Sequence, residues 1–357
     1  MSVTAEFCPA WASPPGETIR ELAQRKGITQ AIVANALGVA ESELARVLDG
    51  DLPITKARAE RLAIFVGATS RFWLAREAQY RHSLQTIYDD ARAWVSSLPL
   101  ADMAKFGWLD AASTGADKLD MAFAFFGVSS VDEWRDRWLS QHAGLTAYRT
   151  SPVFARQGAS AAAWLRQGER LASRISTAQW SRINFERILP ELRRLTRIEK
   201  PADFIPQLQR RCAECGVAVV IVRTPKGCPA SGATRIRNGQ AIVQLSARYL
   251  RDDSFWFTFF HEAGHLVLHE NRLFLEWSEN RHLDESEERE ANDFAAKILI
   301  PPSQEAALSA LPHDYKTIMR FARNLSVSPG IVVGQLQHRG LVPREKLNFL
   351  KKRYTWG

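Results

Sequence analysis

The segment from Asp252 to His269 constrains the fold more than any other part of the chain. Wound into a helix it is apolar on nearly every side, yet it carries His261, Glu262 and His265. A helix that is apolar all round is buried, and buried helices seldom keep ionisable side chains without a use for them. We therefore expect a buried helix here, with the polar run Asp252–Ser254 available to cap its start.

The spacing of these three polar residues indicates a metal site. His261 and His265 are four residues apart, so their rings lie on one face of a helix and can reach one ion. Glu262 lies beside the ion without binding it, where it can take a proton from water and pass it to a leaving amine. Imidazole and carboxylate ligands suit zinc. The pattern predicts one zinc ion per chain and peptide hydrolysis; its competing interpretation is a chance match.

A catalytic zinc ion needs a third protein ligand, and the next helix can supply it. That helix is expected over residues 284–300, where Glu287 and Glu290 border the apolar stripe. Glu287 stands three residues after Asp284 and can close a capping box with it. Glu290 has no such structural role, so we favour Glu290 as the ligand and keep Glu287 as the alternative.

Three more polar side chains near the motif have candidate roles. His269 continues the four-residue spacing but lies about 12 Å along the helix axis from His261, too far to share its ion. We expect it to pack or to contact a ligand. Tyr249 and His282 are both candidates for stabilising an oxyanion during hydrolysis, and the sequence does not choose between them.

The block from Phe257 to Pro301, with HEAGH followed by EREANDFAAKILIP, resembles the ImmA/IrrE family of metallopeptidases. The similarity extends over about residues 200–340. It implies a zincin-like catalytic domain in which His261, His265 and Glu290 bind the metal and Glu262 is the catalytic glutamate. Members of that family cut a partner transcriptional repressor in stress responses and in mobile elements. The resemblance therefore implies a repressor-type protein substrate.

The N-terminal part of the chain predicts a second module. Helices are expected over residues 29–37 and 41–48 with a turn at Gly38, which is the helix-turn-helix arrangement. Residues 14–90 resemble Xre-type regulators of the HigA antitoxin kind. The matching motifs are Leu37-Gly38-Val39, Leu48-Asp49-Gly50, Pro53-Ile54-Thr55 and Phe72-Trp73-Leu74. Such modules commonly bind DNA as dimers on paired half-sites, so a homodimer is expected.

Charge in the second helix of this pair argues against simple DNA binding. Residues 40–51 hold four carboxylates against Arg46 alone, and phosphates repel carboxylates. Gln30, Ser42 and Arg46 remain candidate DNA contacts. A net charge of +8 is compatible with nucleic-acid binding. The alternative is a helix-turn-helix fold that serves dimerisation or holds a protein partner.

A small β-sheet is predicted before the metal-site helix. Residues 217–223 form a β-branched run, and two further strand-like runs, at 233–237 and 240–245, flank Asn238-Gly239. This dipeptide between strand-like runs is the strongest short signal for a β-hairpin. The chain is therefore predicted to be α+β and mostly helical. Its expected domains are a helix-turn-helix domain at 14–90, a helical middle region at 91–200 and a metallopeptidase domain at 201–345.

Composition limits the remaining possibilities. No run approaches the roughly 18 apolar residues of a membrane helix, and no secretory signal is visible, so no membrane contact is expected. Four cysteines are too few for a disulfide framework, and we expect a cytoplasmic protein. Its predicted function is a zinc endopeptidase fused to a DNA-binding module. The alternative is a DNA-binding or antitoxin-like regulator whose metal domain is a sensor with little proteolytic turnover.

Overall fold

The computed structural model describes residues 12–110, 115–140, 152–246, 251–269, 274–277 and 285–355. The chain divides into a first unit, residues 1–96 and 128–133, and a second unit, residues 97–127 and 134–357. Most of the predicted middle region at 91–200 thus belongs to the same unit as the predicted metallopeptidase domain. Across the described ranges, no helix combines the length and the apolar character needed to cross a membrane.

The first unit is all-helical. Thr29 and Thr55 begin the second and fourth helices, where their hydroxyls accept hydrogen bonds from backbone N–H groups three residues on. Gly38 turns the chain with a φ of 68°, which favours glycine. The two helices predicted here and the turn between them at Gly38 are therefore present. The helices are α1 (Pro15–Arg25), α2 (Gln30–Leu37), α3 (Glu41–Leu48), α4 (Lys56–Phe65) and α5 (Ser70–Ser97).

The second unit surrounds a small sheet with helices. Short helical turns lie at Arg135–Ser140, Arg193–Arg197, Pro302–Gln304 and Asn348–Leu350. The α-helices, including α8, of which residues 131–133 belong to the first unit, are α6 (Leu100–Lys105), α7 (Gly115–Phe126), α8 (Val131–Trp134), α9 (Pro152–Ala172), α10 (Arg182–Leu192), α11 (Pro201–Ala213), α12 (Asp252–Leu268), α13 (Glu285–Leu299), α14 (Glu305–Ser309), α15 (Tyr315–Leu325) and α16 (Pro329–His338).

The sheet has four described strands in the order β1-β3-β2-β4. Strand β3 is parallel to β1 and antiparallel to β2, and β2 is antiparallel to β4. The predicted hairpin is confirmed: Asn238 and Gly239 have positive φ angles of 50° and 76° and connect β2 to β3. The strands are β1 (Val217–Val222), β2 (Ala230–Arg237), β3 (Gln240–Ser246) and β4 (Phe274–Trp277).

Helix α12 lies in the core of the second unit, as its composition predicts. Phe255, Trp256, Phe259 and Phe260 are each at most 3% exposed. Phe204 of α11 packs on the first two, with ring centroids 5.5 and 5.1 Å away. Because aromatic rings bury large apolar areas, this packing holds the helix firmly beneath the site described below.

The start of α12 is held by a distant part of the chain rather than by a capping side chain. The Asp252 carboxylate, expected to cap the helix, instead accepts hydrogen bonds from Ser328 Oγ at 2.7 Å and Lys352 N at 3.0 Å. Trp256 donates its indole N–H to the hydroxyl of Tyr354. The segment Lys351–Tyr354 thus anchors the first turn of the helix. Burial of the Asp252 carboxyl raises its pKa to about 6.

We expect Asp252→Asn to change how stability depends on pH. A carboxyl group whose pKa is raised by folding, here from 3.8 to about 6, adds stability that is complete below pH 3.8 and is lost as the pH rises through 6. Asparagine has no such loss. From pH 4 to pH 7, wild type should lose about 2.4 kcal/mol of unfolding free energy relative to the variant, measured by urea unfolding. A difference that does not vary with pH would contradict the buried carboxyl described here.

Candidate metal centre

Helix α12 presents two histidine rings to the same point. His261 and His265 are each 1% exposed, and their Nε2 atoms are 3.0 Å apart. The four-residue spacing produces this arrangement, because residues four apart in an α-helix lie on the same face about one turn from each other. The predicted pairing of the two imidazoles is therefore present.

The third side chain at this point is Glu288, from the neighbouring helix α13. One of its carboxylate oxygens is 3.4 Å from His261 Nε2 and the other is 3.4 Å from His265 Nε2. Burial opposes the charge of Glu288, but hydrogen bonds and charge from the two histidines outweigh it and lower its pKa to about 2. Burial also lowers the pKa of His265, which favours the neutral imidazole that binds metal ions.

The structure corrects the expected third member of the cluster. Within the described residues, the group able to hold a metal ion contains Glu288 and neither Glu287 nor Glu290. Glu288 lies three residues before Ala291, which is fully buried, and so shares the face that α13 turns toward α12. Glu290 is only one residue from Ala291, about 100° around the helix, and its side chain is 61% exposed.

Glu290 instead belongs to a set of contacts behind the histidines. It is 2.9 Å from His269 Nε2, and His269 Nδ1 is 3.3 Å from His265 Nδ1. If His269 donates its Nε2–H to Glu290, its Nδ1 accepts a hydrogen bond from the Nδ1–H of His265, and Nε2 of His265 is then unprotonated. Asn292 Oδ1, 3.0 Å from His261 Nδ1, does the same for the other ring. These partners set the tautomer in which both Nε2 lone pairs face the centre.

Small residues allow the two helices to approach closely. A Cβ atom placed on Gly264 would lie 3.3 Å from the Ala291 Cα atom and 3.1 Å from Phe294. Contacts of this length are tighter than side chains normally make. Glycine in the middle of the His-Glu-Ala-Gly-His motif therefore permits the spacing that brings α13 and its Glu288 within reach of the histidines.

Glu262 lies on another face of α12, against the sheet. It is fully buried, and a Cβ atom placed on Gly232 of β2 would lie only 2.1 Å from its Oε1 atom. Gly232 does not have a positive φ angle, so no backbone requirement explains this glycine. Its missing side chain leaves the space that the Glu262 carboxylate occupies.

The three donor side chains fit a metal ion. An ion bound tetrahedrally at about 2.0–2.2 Å places its ligand atoms about 3.3–3.6 Å apart. The observed separations are 3.0 Å between the two imidazole nitrogens and 3.4 Å from each of these to a Glu288 oxygen. Two neutral imidazoles and one carboxylate also form a ligand set used by catalytic zinc sites.

Comparison with protein families agrees with this geometry. Residues 216–337 match the IrrE N-terminal-like domain of the Peptidase_M78 family. The matched region, here called the IrrE-like region, runs from the residue before β1 into α16 and contains all the residues of the cluster. The match supports a metallopeptidase-type domain and the predicted resemblance to the ImmA/IrrE family. A comparison with curated proteins finds no significant match.

Sequence reasoning missed several residues of the IrrE-like region. Glu288, Asn292 and Gly232 have no local motif of their own, and only the packing of α12 against α13 and β2 identifies them. The oxyanion candidates Tyr249 and His282 lie outside the described residues.

The predicted DNA contacts lie in the first unit. Gln30, Ser42 and Arg46 are all exposed there, the first at the start of α2 and the other two on α3.

Gly232→Ala is expected to reduce peptide hydrolysis by about 100-fold, because the new methyl group must displace the Glu262 carboxylate and a shift of about 1 Å costs that much. Metal content should stay at that of wild type, since the three atoms nearest the new methyl group all belong to Glu262, which is not one of the clustered donors. The matched control is Gly168→Ala, whose methyl group would collide with Gln244 instead. It should lower the unfolding temperature but keep the turnover rate. Equal losses of turnover in the two variants would contradict a positioning role for Gly232.

Proposed function

We propose that this chain is a zinc-dependent endopeptidase carrying a DNA-binding helix-turn-helix module, and that it cleaves a repressor-type protein. The observation that carries the proposal is the cluster of His261, His265 and Glu288 beside the buried Glu262. The family match to the IrrE-like region supports the peptidase part of the proposal.

The cluster and the neighbouring Glu262 have different chemical roles. His261, His265 and Glu288 would hold the ion, and bound zinc would supply Lewis-acid activation of water and of the peptide carbonyl. Glu262 takes the proton from the attacking water at its carboxylate and delivers it to the nitrogen of the leaving amine. Its burial keeps bulk water from competing for that proton.

The placement of Glu262 favours catalysis over sensing. A metal sensor needs donor atoms for its ion but has no use for an additional buried carboxylate beside them. Burying such a group costs free energy unless its environment compensates for it. The space that Gly232 leaves for this carboxylate is a second feature that metal binding alone does not require.

Ion pairs between acidic residues and arginines in the first unit support the DNA-binding part of the proposal. Two of the acidic residues that weaken DNA binding have arginine partners: Glu43 lies 2.5 Å from Arg58 and Asp49 lies 2.7 Å from Arg20. These pairs reduce the negative charge that a phosphate would meet near α3. Ser42 and Arg46 are four residues apart and so share one exposed face of α3. Dimerisation on paired half-sites would fit such a module.

The proposal is tested by mapping new protein N-termini in a lysate of the cells that produce the chain. Zinc-loaded wild type and Glu262→Gln are added to separate samples, and the new termini are labelled and identified by mass spectrometry. We expect a small set of cuts made only by wild type, with a DNA-binding repressor among the cut proteins. Identical termini in both samples would overturn the endopeptidase proposal, and cuts confined to other protein classes would overturn the proposed substrate.

DNA binding is tested separately on random-sequence duplexes selected by the full chain. We expect an affinity that falls steeply with salt concentration, because phosphate contacts release counterions. Arg46→Ala should weaken binding, whereas Arg25→Ala, on α1 and paired with Glu21, should leave it unchanged. Failure to enrich any duplex would favour a module that holds a protein partner.

A further inference from the structure

A cavity of about 350 Å³ lies between the first half of α12 and helix α16. Phe257, Leu299 and Ile331 form apolar parts of its wall. Ser231 of β2 lines it from the sheet. Its volume is in the range of pockets that hold small ligands, and it exceeds what one amino-acid side chain requires.

The cavity adjoins the metal centre. The Phe257 ring stacks on the ring of His261, with centroids 6.4 Å apart. Ser231 immediately precedes Gly232, against which the Glu262 carboxylate lies. A peptide with its scissile bond at the metal centre would therefore place a neighbouring side chain at the mouth of this cavity.

Two of the polar side chains that line the cavity, Asp253 and Gln335, each present a buried hydrogen-bond acceptor without a partner among the described residues. Asp253 Oδ2 is 2.5 Å from Lys351 Nζ, but Asp253 Oδ1 is buried and has no hydrogen-bond partner among the described residues. Gln335 is 3% exposed, and its Oε1 likewise has none within the described ranges. Lys351 balances the charge of Asp253 and also donates to Gln337 Oε1, but neither contact reaches Asp253 Oδ1. Two buried acceptors without hydrogen-bond partners are costly unless a ligand supplies donors.

We propose that this cavity receives a substrate side chain with an apolar stem and a cationic hydrogen-bond-donor end, arginine or lysine, next to the cleaved bond. This inference rests on the proposed endopeptidase function. The apolar wall contacts the stem, and Asp253 Oδ1 and Gln335 Oε1 accept hydrogen bonds from the end. A purely apolar side chain leaves both acceptors unsatisfied, and an acidic one brings a third acceptor and no donor.

The test uses amino-acid hydroxamates, whose hydroxamate group binds zinc and whose side chain samples the adjoining cavity. Binding of the arginine, norleucine and glutamic acid hydroxamates to the zinc-loaded full chain is measured by calorimetry. We expect the arginine compound to bind at least about 10-fold tighter than the norleucine compound, because it satisfies the two acceptors. The glutamic acid compound should bind most weakly.

The variant Gln335→Leu checks which residue sets this preference. It should reduce the preference for the arginine compound over the norleucine compound by about 10-fold, and the zinc content and unfolding temperature of the same sample report on metal loading and folding. Gln335→Glu should strengthen arginine binding. If zinc itself does not bind, the endopeptidase proposal falls. If zinc binds but the hydroxamates bind equally, in another order or not at all, the inference about the cavity is overturned and the endopeptidase proposal stands.

Discussion

Glu262→Gln is expected to reduce peptide hydrolysis by about 10²–10⁴-fold while the protein keeps its metal ion. The glutamine amide has nearly the same shape, so it fills the space beside Gly232 that the carboxylate occupies. It cannot accept a proton from water, however, and so the proton transfer to the leaving amine is lost. The two readouts are the turnover rate on a cleaved protein and the zinc content of the purified chain.

The result separates catalysis from metal binding because Glu262 is not one of the three clustered donors. His265→Ala provides the opposite pattern: it should lose both zinc and turnover, since it removes a donor atom. If Glu262→Gln also lost its zinc, the carboxylate would be a ligand rather than a proton carrier. If it retained full turnover, another group would have to accept the proton.

The second large effect is expected from two glutamates that are only two residues apart in α13. Glu288→Gln should lower zinc affinity by more than about 100-fold, beyond what the loss of an outer partner usually costs. Glu290→Gln should lower it by about 10-fold, because Glu290 acts through His269 on the orientation of His265. The physical difference is that Glu288 contacts both Nε2 atoms, whereas Glu290 contacts neither.

The comparison is made by competition between each variant and a chromophoric zinc chelator. Both substitutions remove one negative charge from the same helix, so the overall change in charge is matched. A larger loss for Glu290→Gln than for Glu288→Gln would contradict the structure and restore the assignment that the family resemblance implies. Equal losses would indicate that charge near the histidines, rather than coordination, determines zinc affinity.

The parts of this protein that sequence reasoning predicted are those with a local cause. The hairpin at Asn238-Gly239 follows from two residues that accept positive φ angles. The pairing of His261 with His265 follows from one turn of helix. The buried helix α12 follows from its composition. Each of these features depends on residues that are close in the sequence.

The parts that were not predicted depend on how separate elements pack. Glu287, Glu288 and Glu290 all lie within one turn of α13, and only the rotation of that helix against α12 selects Glu288. A capping box distinguishes Glu287 from Glu290 but gives no local reason to select Glu288. The parallel pairing of β1 with β3 and the strand β4 are also absent from the local pattern, because both join segments separated by turns or helices.

The attachment of segment Lys351–Tyr354 to the start of α12 has a consequence for folding. Asp252 and Lys352 are 100 residues apart, and closing a loop of that length costs about 4 kcal/mol of chain entropy. Contacts between such distant residues form late in folding, after local helices and hairpins. The first turn of the helix that carries His261 is therefore fastened near the end of the folding process. A partly folded chain would therefore have the aromatic side chains of α12 packed in the core while the first turn of the helix is still unattached.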